Sequence, residues 1–405
     1  MKPDPDPPAP PTLLVPRAFI PWPEAQDDSS PPPQQRPPPP PSSFYLYIFL
    51  AVLVAVCGST GPAWFRLMGG AQTPALVKVF WRMFNTFLVQ APLAAVQMRC
   101  HAWDGRAVSQ WLAALPRAAL PVGTIMGLHF ACVAGSSALT SFAHTMSTVN
   151  AAPLFFTAFF LLRHALSRQL YAQGSAALLV DAQPPPPPPP PPLQLPFLHP
   201  SRSPLPSPLE ALGACLTFCG VCALVSLDGA SADQPVTAAG DVLGLGASLF
   251  MALYLSGGAY RGAMPLFLWM CPLHGAAALS TGCMALLSGA SLGGGPQGLL
   301  GCWDGGLATA ATAGSVVVPS LVAHSLMNLL TPAERLGPFL VSMFLNLQPL
   351  TGNVFGWAIG VQQQPSPLSL LCAPLIVLGT VLATLGRQGR TISGLLQGCS
   401  GRATT

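Results

Sequence analysis

Charge is what this chain has least of. Asp, Glu, Lys and Arg make up 7% of its 405 residues, against about 25% in a soluble domain, and 51% of the chain is apolar. Water cannot be the main solvent of such a sequence. The net charge of +4 is not gathered into a basic patch, so no nucleic-acid partner is expected. Carboxylates are missing from the middle of every apolar run, since Glu210, Asp241 and Glu334 stand at run ends. That absence argues against a pump trading protons for cations at an embedded acid. No cleavable leader is expected in residues 1–42, which have no apolar centre and carry Asp4, Asp6, Glu24, Asp27 and Asp28, a pattern of neither a secretory signal nor a transit peptide. Eleven cysteines are present, mostly within or beside apolar runs; Cys219 and Cys222 spell CGVC, but a redox or metal role would need accessible thiolates. Cys215, Cys219 and Cys222 share one helical face and are expected to pack as small residues against a neighbouring helix. No metal, no cofactor and no enzymatic activity are expected.

What is there is a series of apolar runs of spanning length, about 20 residues each. Ten can be placed: 44–66, 74–97, 118–137, 140–162, 210–228, 240–260, 264–288, 306–329, 334–360 and 367–386. Cytoplasmic loops collect Lys and Arg, which tests that number. With the N-terminus inside, fourteen basic residues fall on the cytoplasmic side (Lys2, Arg17, Arg36, Arg99, Arg106, Arg117, Arg163, Arg168, Arg202, Arg261, Arg335, Arg387, Arg390 and Arg402) and two, Arg66 and Lys78, on the other. An all-α integral membrane fold of ten transmembrane helices with both termini cytoplasmic is therefore predicted, in a plasma membrane or endomembrane rather than an organelle envelope.

Composition divides the chain further. Residues 1–42 form a Pro-rich tail expected to be disordered; 43–163 hold the first four helices; 164–209 form a Pro-rich cytoplasmic linker with nine consecutive prolines, Pro184–Pro192; 210–229 hold the fifth; 238–386 hold helices six to ten; 387–405 are a cytoplasmic tail. The fourth and ninth stretches repeat Asn-x-x-Pro-Leu, with Asn150, Pro153 and Leu154 matched by Asn346, Pro349 and Leu350 at an offset of 196. LGACLTFCG at 212–220 and LCAPLIVLG at 371–379 align at an offset of 159, and the difference of 37 is about the proline-bearing excess of the linker. Two five-helix copies are thus expected, and an odd number of spans per copy makes the repeat inverted, a common basis of alternating access.

The costly residues mark the candidate site. A proline within a helix frees the carbonyl one turn back, which in hydrocarbon must face protein or water; Pro153, Pro349 and Pro374 are expected to kink their helices. On a helical wheel Asn150 shares a face with Thr157, and Ser342 and Asn346 share one with Asn353, so each copy is expected to aim its polar side chains at a common cavity. Lys78, Arg82 and Asn85 share a face of the second helix, and a cavity-facing Arg82 would favour an anionic solute. His129 precedes Asn150, and His324 precedes Asn346, at nearly equal separations, which gives the two histidines near-equivalent places in the two copies. Arg82, Asn85, His129, Asn150, Thr157, His324, Asn346 and Asn353 are the expected substrate-binding residues. Gly352, Gly356 and Gly360, and Ala143, Ser147 and Ala151, read as close-packing faces.

These residues resemble a known family. FWRMFNTFLVQAPLAA, ALTSFAHTMSTVNAAPLFFTAFFLL and GDVLGLGASLFMALYLSGGAYR are similar to helices 2, 4 and 6 of the EamA-type drug/metabolite transporter superfamily, over residues 44–386. The resemblance implies a transporter of small metabolites with a central cavity lined by helices 1, 3, 4, 6, 8 and 9. The expected function is alternating-access transport of a small neutral or anionic metabolite. The expected partners are that solute and the lipid bilayer, and the oligomeric state is left open, a homodimer included. Two alternatives are kept: an intramembrane serine hydrolase using Gly289-Ala290-Ser291-Leu292-Gly293, and a multi-pass scaffold recruiting partners through its prolines.

Overall fold

The fold is known from a computed structural model, which describes residues 41–68, 72–159, 161–162, 207–228, 236–261, 264–295, 297–303, 305–332 and 335–388. The predicted tail and linker, 1–42 and 164–209, lie outside these except at their edges, as does the C-terminal tail beyond Gln388. The described residues are helical, with no named strand among them. In order they form α1 (Pro41–Ser59), α2 (Gly61–Leu67), α3 (Ala75–Cys100), α4 (Gly105–Leu139) and α5 (Phe142–Val149). Next come α6 (152–159), α7 (Pro208–Asp228), α8 (Ala238–Gly257), α9 (Leu266–Leu287) and α10 (Gly306–Ser315). A π-helical stretch Val316–His324 leads into α11 (Ser325–Leu330), followed by α12 (Gly337–Leu345), α13 (Gln348–Ala358), α14 (Pro367–Leu370) and α15 (Ala373–Arg387).

Five stretches are long and apolar enough to cross a bilayer: Ser43–Leu67, Gly105–Leu139, Ala238–Gly257, Leu266–Leu287 and Gly306–Leu330. Together with an outer surface carrying exposed Phe49, Val52, Leu88, Val96, Val242, Leu279 and Val377, they make this a multi-pass membrane protein, because a soluble surface does not sustain so much contiguous apolar area. Helix falls on all ten predicted stretches. One boundary differs: residues 105–117, expected in a loop, belong to α4, because Asp104 caps its start by accepting from the Ala107 N–H at 2.7 Å, satisfying one of the orphan donors of a helix N-terminus.

Packing follows the small residues. α3 lies on α9, α7 on α15, and α4 against both α8 and α9. Gly275 and Gly282 of α9 sit against the rings of Phe87 and Phe80 of α3. Gly213 of α7 and Gly379 of α15 bring two backbones together: a Cβ on Gly379 would stand 2.5 Å from the Gly213 carbonyl. The same helix turns Cys215, Cys219 and Cys222 outward, where they are exposed. The expectation that these cysteines pack on a neighbour is corrected: α7 uses Gly213, Thr217 and Gly220 for its contact, and the cysteine face is left over. Gly352 and Gly356 do pack closely, against Met146 and Phe142, whereas Gly360 ends α13 with φ +73°, a left-handed C-terminal glycine.

Prolines inside helices need their freed carbonyls satisfied. Pro272 of α9 frees Leu268 O, which is bonded instead by the indole N–H of Trp111 from α4, at 3.3 Å. Replacing Trp111 with Phe removes that donor and should destabilise the fold by about 1–3 kcal/mol, the cost of an unsatisfied buried acceptor. Thermal unfolding of the full chain in detergent, compared with the parent protein, checks this.

Candidate functional site

Both Asn-x-x-Pro segments stop one helix and start another. Asn150 is the C-cap of α5 and Asn346 the C-cap of α12. The chain tightens to three-residue hydrogen bonds there, Asn150 N–H to Ser147 O at 3.3 Å and Asn346 N–H to Met343 O at 3.2 Å. Pro153 and Pro349 then stand in the first turns of α6 and α13, where a missing N–H costs nothing. Pro374 likewise stands in the first turn of α15. The predicted kinks are therefore corrected to breaks: three prolines begin helices rather than bending them.

The break changes which side chains converge. The principal cavity is lined by Gly58, Gly61, Arg82, His129, Phe130, Met146, Asn150, Ala323, His324, Gln348 and apolar neighbours. A second, smaller cleft lies between Asn150, Pro153, Leu154, Ala214, Phe218, Val221 and Asn346. Four predicted residues thus meet at the first cavity, namely Arg82, His129, Asn150 and His324. The repeat asparagines meet at the second cleft. Thr157 lines neither, and its hydroxyl donates to Pro153 O of its own helix at 2.8 Å. Asn353 lines neither, and its backbone carbonyl accepts from Gln362 Nε2 at 2.5 Å. Asn85 lines neither and is half-buried on α3. The physical reason is common to Thr157 and Asn353: a helical wheel assumes one continuous helix, and the breaks at 150–151 and 346–347 reset its phase.

Arg82 is fully interior, 1% exposed. Its Nε–H donates to Ser320 Oγ at 2.7 Å, and Ser320 Oγ donates on to Ser315 O at 3.0 Å. Pro319 has no N–H for Ser315 O, its α-helical partner, so the serine that follows it fills the vacancy in the π-helical stretch and presents its oxygen to the guanidinium. The guanidinium also lies 4.2 Å from the Phe130 ring centroid and 5.1 Å from that of Phe65. His129 Nδ1 is 2.8 Å from Ala247 O. His324 packs edge-on to Phe130 at 5.0 Å. Below His324, Asn328 Nδ2 donates to Tyr254 Oη at 2.5 Å and to His324 O at 2.9 Å, and its Oδ1 accepts from Trp269 Nε1 at 3.3 Å, so this wall is held by a satisfied network.

Arg66 and Arg261, far apart in the chain, tie opposite parts of the bundle to backbone carbonyls. Arg66, in the last turn of α2, donates through Nη2 to Thr140 O and through Nη1 to Val361 O, both at 3.3 Å. Arg261, just after α8, donates through Nη1 to Asn328 O at 2.8 Å and through Nε to Met264 O at 3.0 Å. Beside Thr140, His144 Nδ1 and Asp241 Oδ1 are 3.3 Å apart.

Sequence reasoning missed Gly58, Gly61, Phe130, Ser320 and Gln348. Ser320 carried a signal, a hydroxyl directly after a proline in the run VVVPSLVAH, and Gln348 stands beside Pro349. The glycines and Phe130 look like packing until the cavity is drawn. Ser291 of the GxSxG pattern lies exposed in the turn after α9, in an isolated bridge to Gly298, not in a strand-to-helix elbow.

No protein-family model matches the chain, and no curated protein matches it in sequence. A solved structure described only as the crystal structure of a protein is similar to it, with a TM-score of 0.55 at 15% identity, covering 86% of this chain and 99% of that one. At that identity the likeness concerns the fold alone.

Proposed function

We propose that this protein is a secondary transporter that carries a small neutral or anionic metabolite by alternating access between two five-helix halves of inverted topology, ten spans in all with both termini cytoplasmic. This is the function implied by the resemblance to EamA-type drug/metabolite transporters. One observation carries it: Asn150 and Asn346, matching ends of two broken helices, line one shared cleft. Helices broken at mid-length are how transporters expose backbone and amide groups to a solute.

Packing supports the repeat. Numbering the halves in parallel, helix 3 packs on 6 as 8 packs on 1, 4 on 6 as 9 on 1, 3 on 7 as 8 on 2, and 4 on 5 as 9 on 10, while 2 pairs with 7 and 5 with 10. Exchanging the halves leaves this pattern unchanged. Arg66 and Arg261 hold corresponding places at the ends of the first helix of each half, on opposite faces of the membrane under this topology, and act as closures of the two mouths. The principal cavity has room for about three water molecules, so a metabolite enters only after one closure opens.

The test uses Ala323→Cys on the cavity wall, in a background whose native cysteines are replaced, labelled by a membrane-impermeant maleimide. Losing a charged hydrogen bond of about 1.5–3 kcal/mol should raise labelling about tenfold from the non-cytoplasmic side in Arg66→Gln and from the cytoplasmic side in Arg261→Gln. Both variants opening the same side would overturn the inverted arrangement. Reconstituted protein that moves none of a panel of labelled neutral and anionic metabolites would overturn the transporter reading.

A further inference from the structure

We infer that the principal cavity binds a small monoanion, a carboxylate head group or an inorganic anion of that size, on Arg82, which Ser320 holds in place, and on His324; that this anion is the cargo rests on the transporter reading.

Charge comes first. Arg82 is 1% exposed and pairs with no carboxylate among the described residues. The described acids stand at helix ends: Asp104 caps α4, Glu210 is in the first turn of α7, Asp228 ends it, and Asp241 is in the first turn of α8 beside His144. Taking a guanidinium out of water carries a desolvation penalty that survives relaxation. The faces of Phe130 and Phe65 return part of it, and a neutral hydroxyl adds one hydrogen bond. A mobile anion supplies the missing counter-charge. Always charged and forked, a guanidinium suits a planar carboxylate.

The second group is independent of the first. His324 lines the same cavity, is 6% exposed, and its Nδ1 has no hydrogen-bond partner. A buried ring nitrogen without a partner is uncommon; in the tautomer carrying hydrogen on Nδ1 it has a hydrogen bond to give, which the proposed anion would accept.

Size and valence follow from what surrounds Arg82. Gly61 leaves its Nη1 uncovered, since a Cβ there would stand 3.2 Å away, and a Cβ on Gly58 would collide with Gln348 Nε2. The remaining room, about three water molecules, matches an acetate. Lys78 does not line the cavity, and its Nζ donates to Phe65 O at 2.9 Å. One cation neutralises one negative charge, so a dianion is left half-compensated.

The measurement is the thermal unfolding midpoint of the purified full-length protein in neutral detergent, at constant ionic strength, with a bulky sulfonate buffer anion (HEPES) replaced by acetate or by sulfate. Acetate should raise the midpoint saturably and sulfate should not. Arg82→Gln should weaken the acetate effect at least tenfold. Ser320→Ala, which disturbs the fold less, should weaken it about threefold and keeps the test alive if Arg82→Gln does not fold. Equal shifts with acetate and sulfate, or an acetate effect indifferent to both substitutions, overturn the inference. Flux of a neutral metabolite without acetate stabilisation sinks the anion site and leaves the transporter. Acetate stabilisation that follows Arg82, with no flux of any small carboxylate in proteoliposomes, leaves the site and sinks the cargo role.

Discussion

Gly379→Leu lowers the midpoint of thermal unfolding in detergent by about 5–10 °C, the result expected of a backbone contact with no room for a side chain. On α15 a Cβ at this position would collide with Thr217 Oγ1 and come within 2.6 Å of Thr217 N. Backbone cannot swing aside as a flexible side chain does, so α7 and α15 must separate. Gly213→Leu on the facing helix meets the Ala383 N–H at 2.6 Å and should cost as much. The two together should cost less than their sum, because the first substitution already parts the helices. Leu375→Ala, on the exposed side of α15, is the control and should leave the midpoint within about 1 °C. A Gly379→Leu protein as stable as the parent would show that the helices are not in contact.

Asn150→Ala is expected to reduce uptake in proteoliposomes at least tenfold while the protein still folds and reaches the membrane. Asn150 borders both cavities, and its Nδ2 donates to Met146 O at 2.5 Å. Removing a buried amide leaves a partner unsatisfied, at about 1–3 kcal/mol, and about 1.4 kcal/mol is a factor of ten. Loss of the helix end alone would lower stability and amount; loss of a solute contact lowers flux per molecule. Thr157→Ala separates the two readings further, since its hydroxyl turns back onto Pro153 O away from either cavity, and should transport normally. Normal flux in Asn150→Ala, or equal losses in both variants, would remove Asn150 from the site.

How far these features could be read from the sequence depended on their range. The helical stretches were legible because runs of about 20 apolar residues have few uses other than spanning. Arg82 was legible because a guanidinium in such a run has to be explained by its surroundings. Asn150 and Asn346 were legible because the same expensive pattern occurs twice. Thr157 and Asn353 misled because their assignment ran a helical phase across a break, and the sequence marks the proline without saying whether the helix bends or stops. The outward cysteines misled because α7 has two small-residue faces, and the choice between them is made by Gly379, in a distant part of the chain. Gly58, Gly61 and Phe130 border the cavity through a fold no local pattern encodes.

α4 is longer than a bilayer is thick. At 1.5 Å per residue its 35 residues measure about 52 Å, against a hydrocarbon core of about 30 Å. The surplus turns carry Arg106 and Arg117, and Trp103 packs edge-on to Trp111 at 6.4 Å, the residue types that favour headgroup level. Drawing them into hydrocarbon would carry a cost that rises toward about 2.5–3.5 kcal/mol for a guanidinium at the centre of a span. The overhang therefore works as a waterline, fixing how low the molecule rides on that face whatever the thickness of its host membrane.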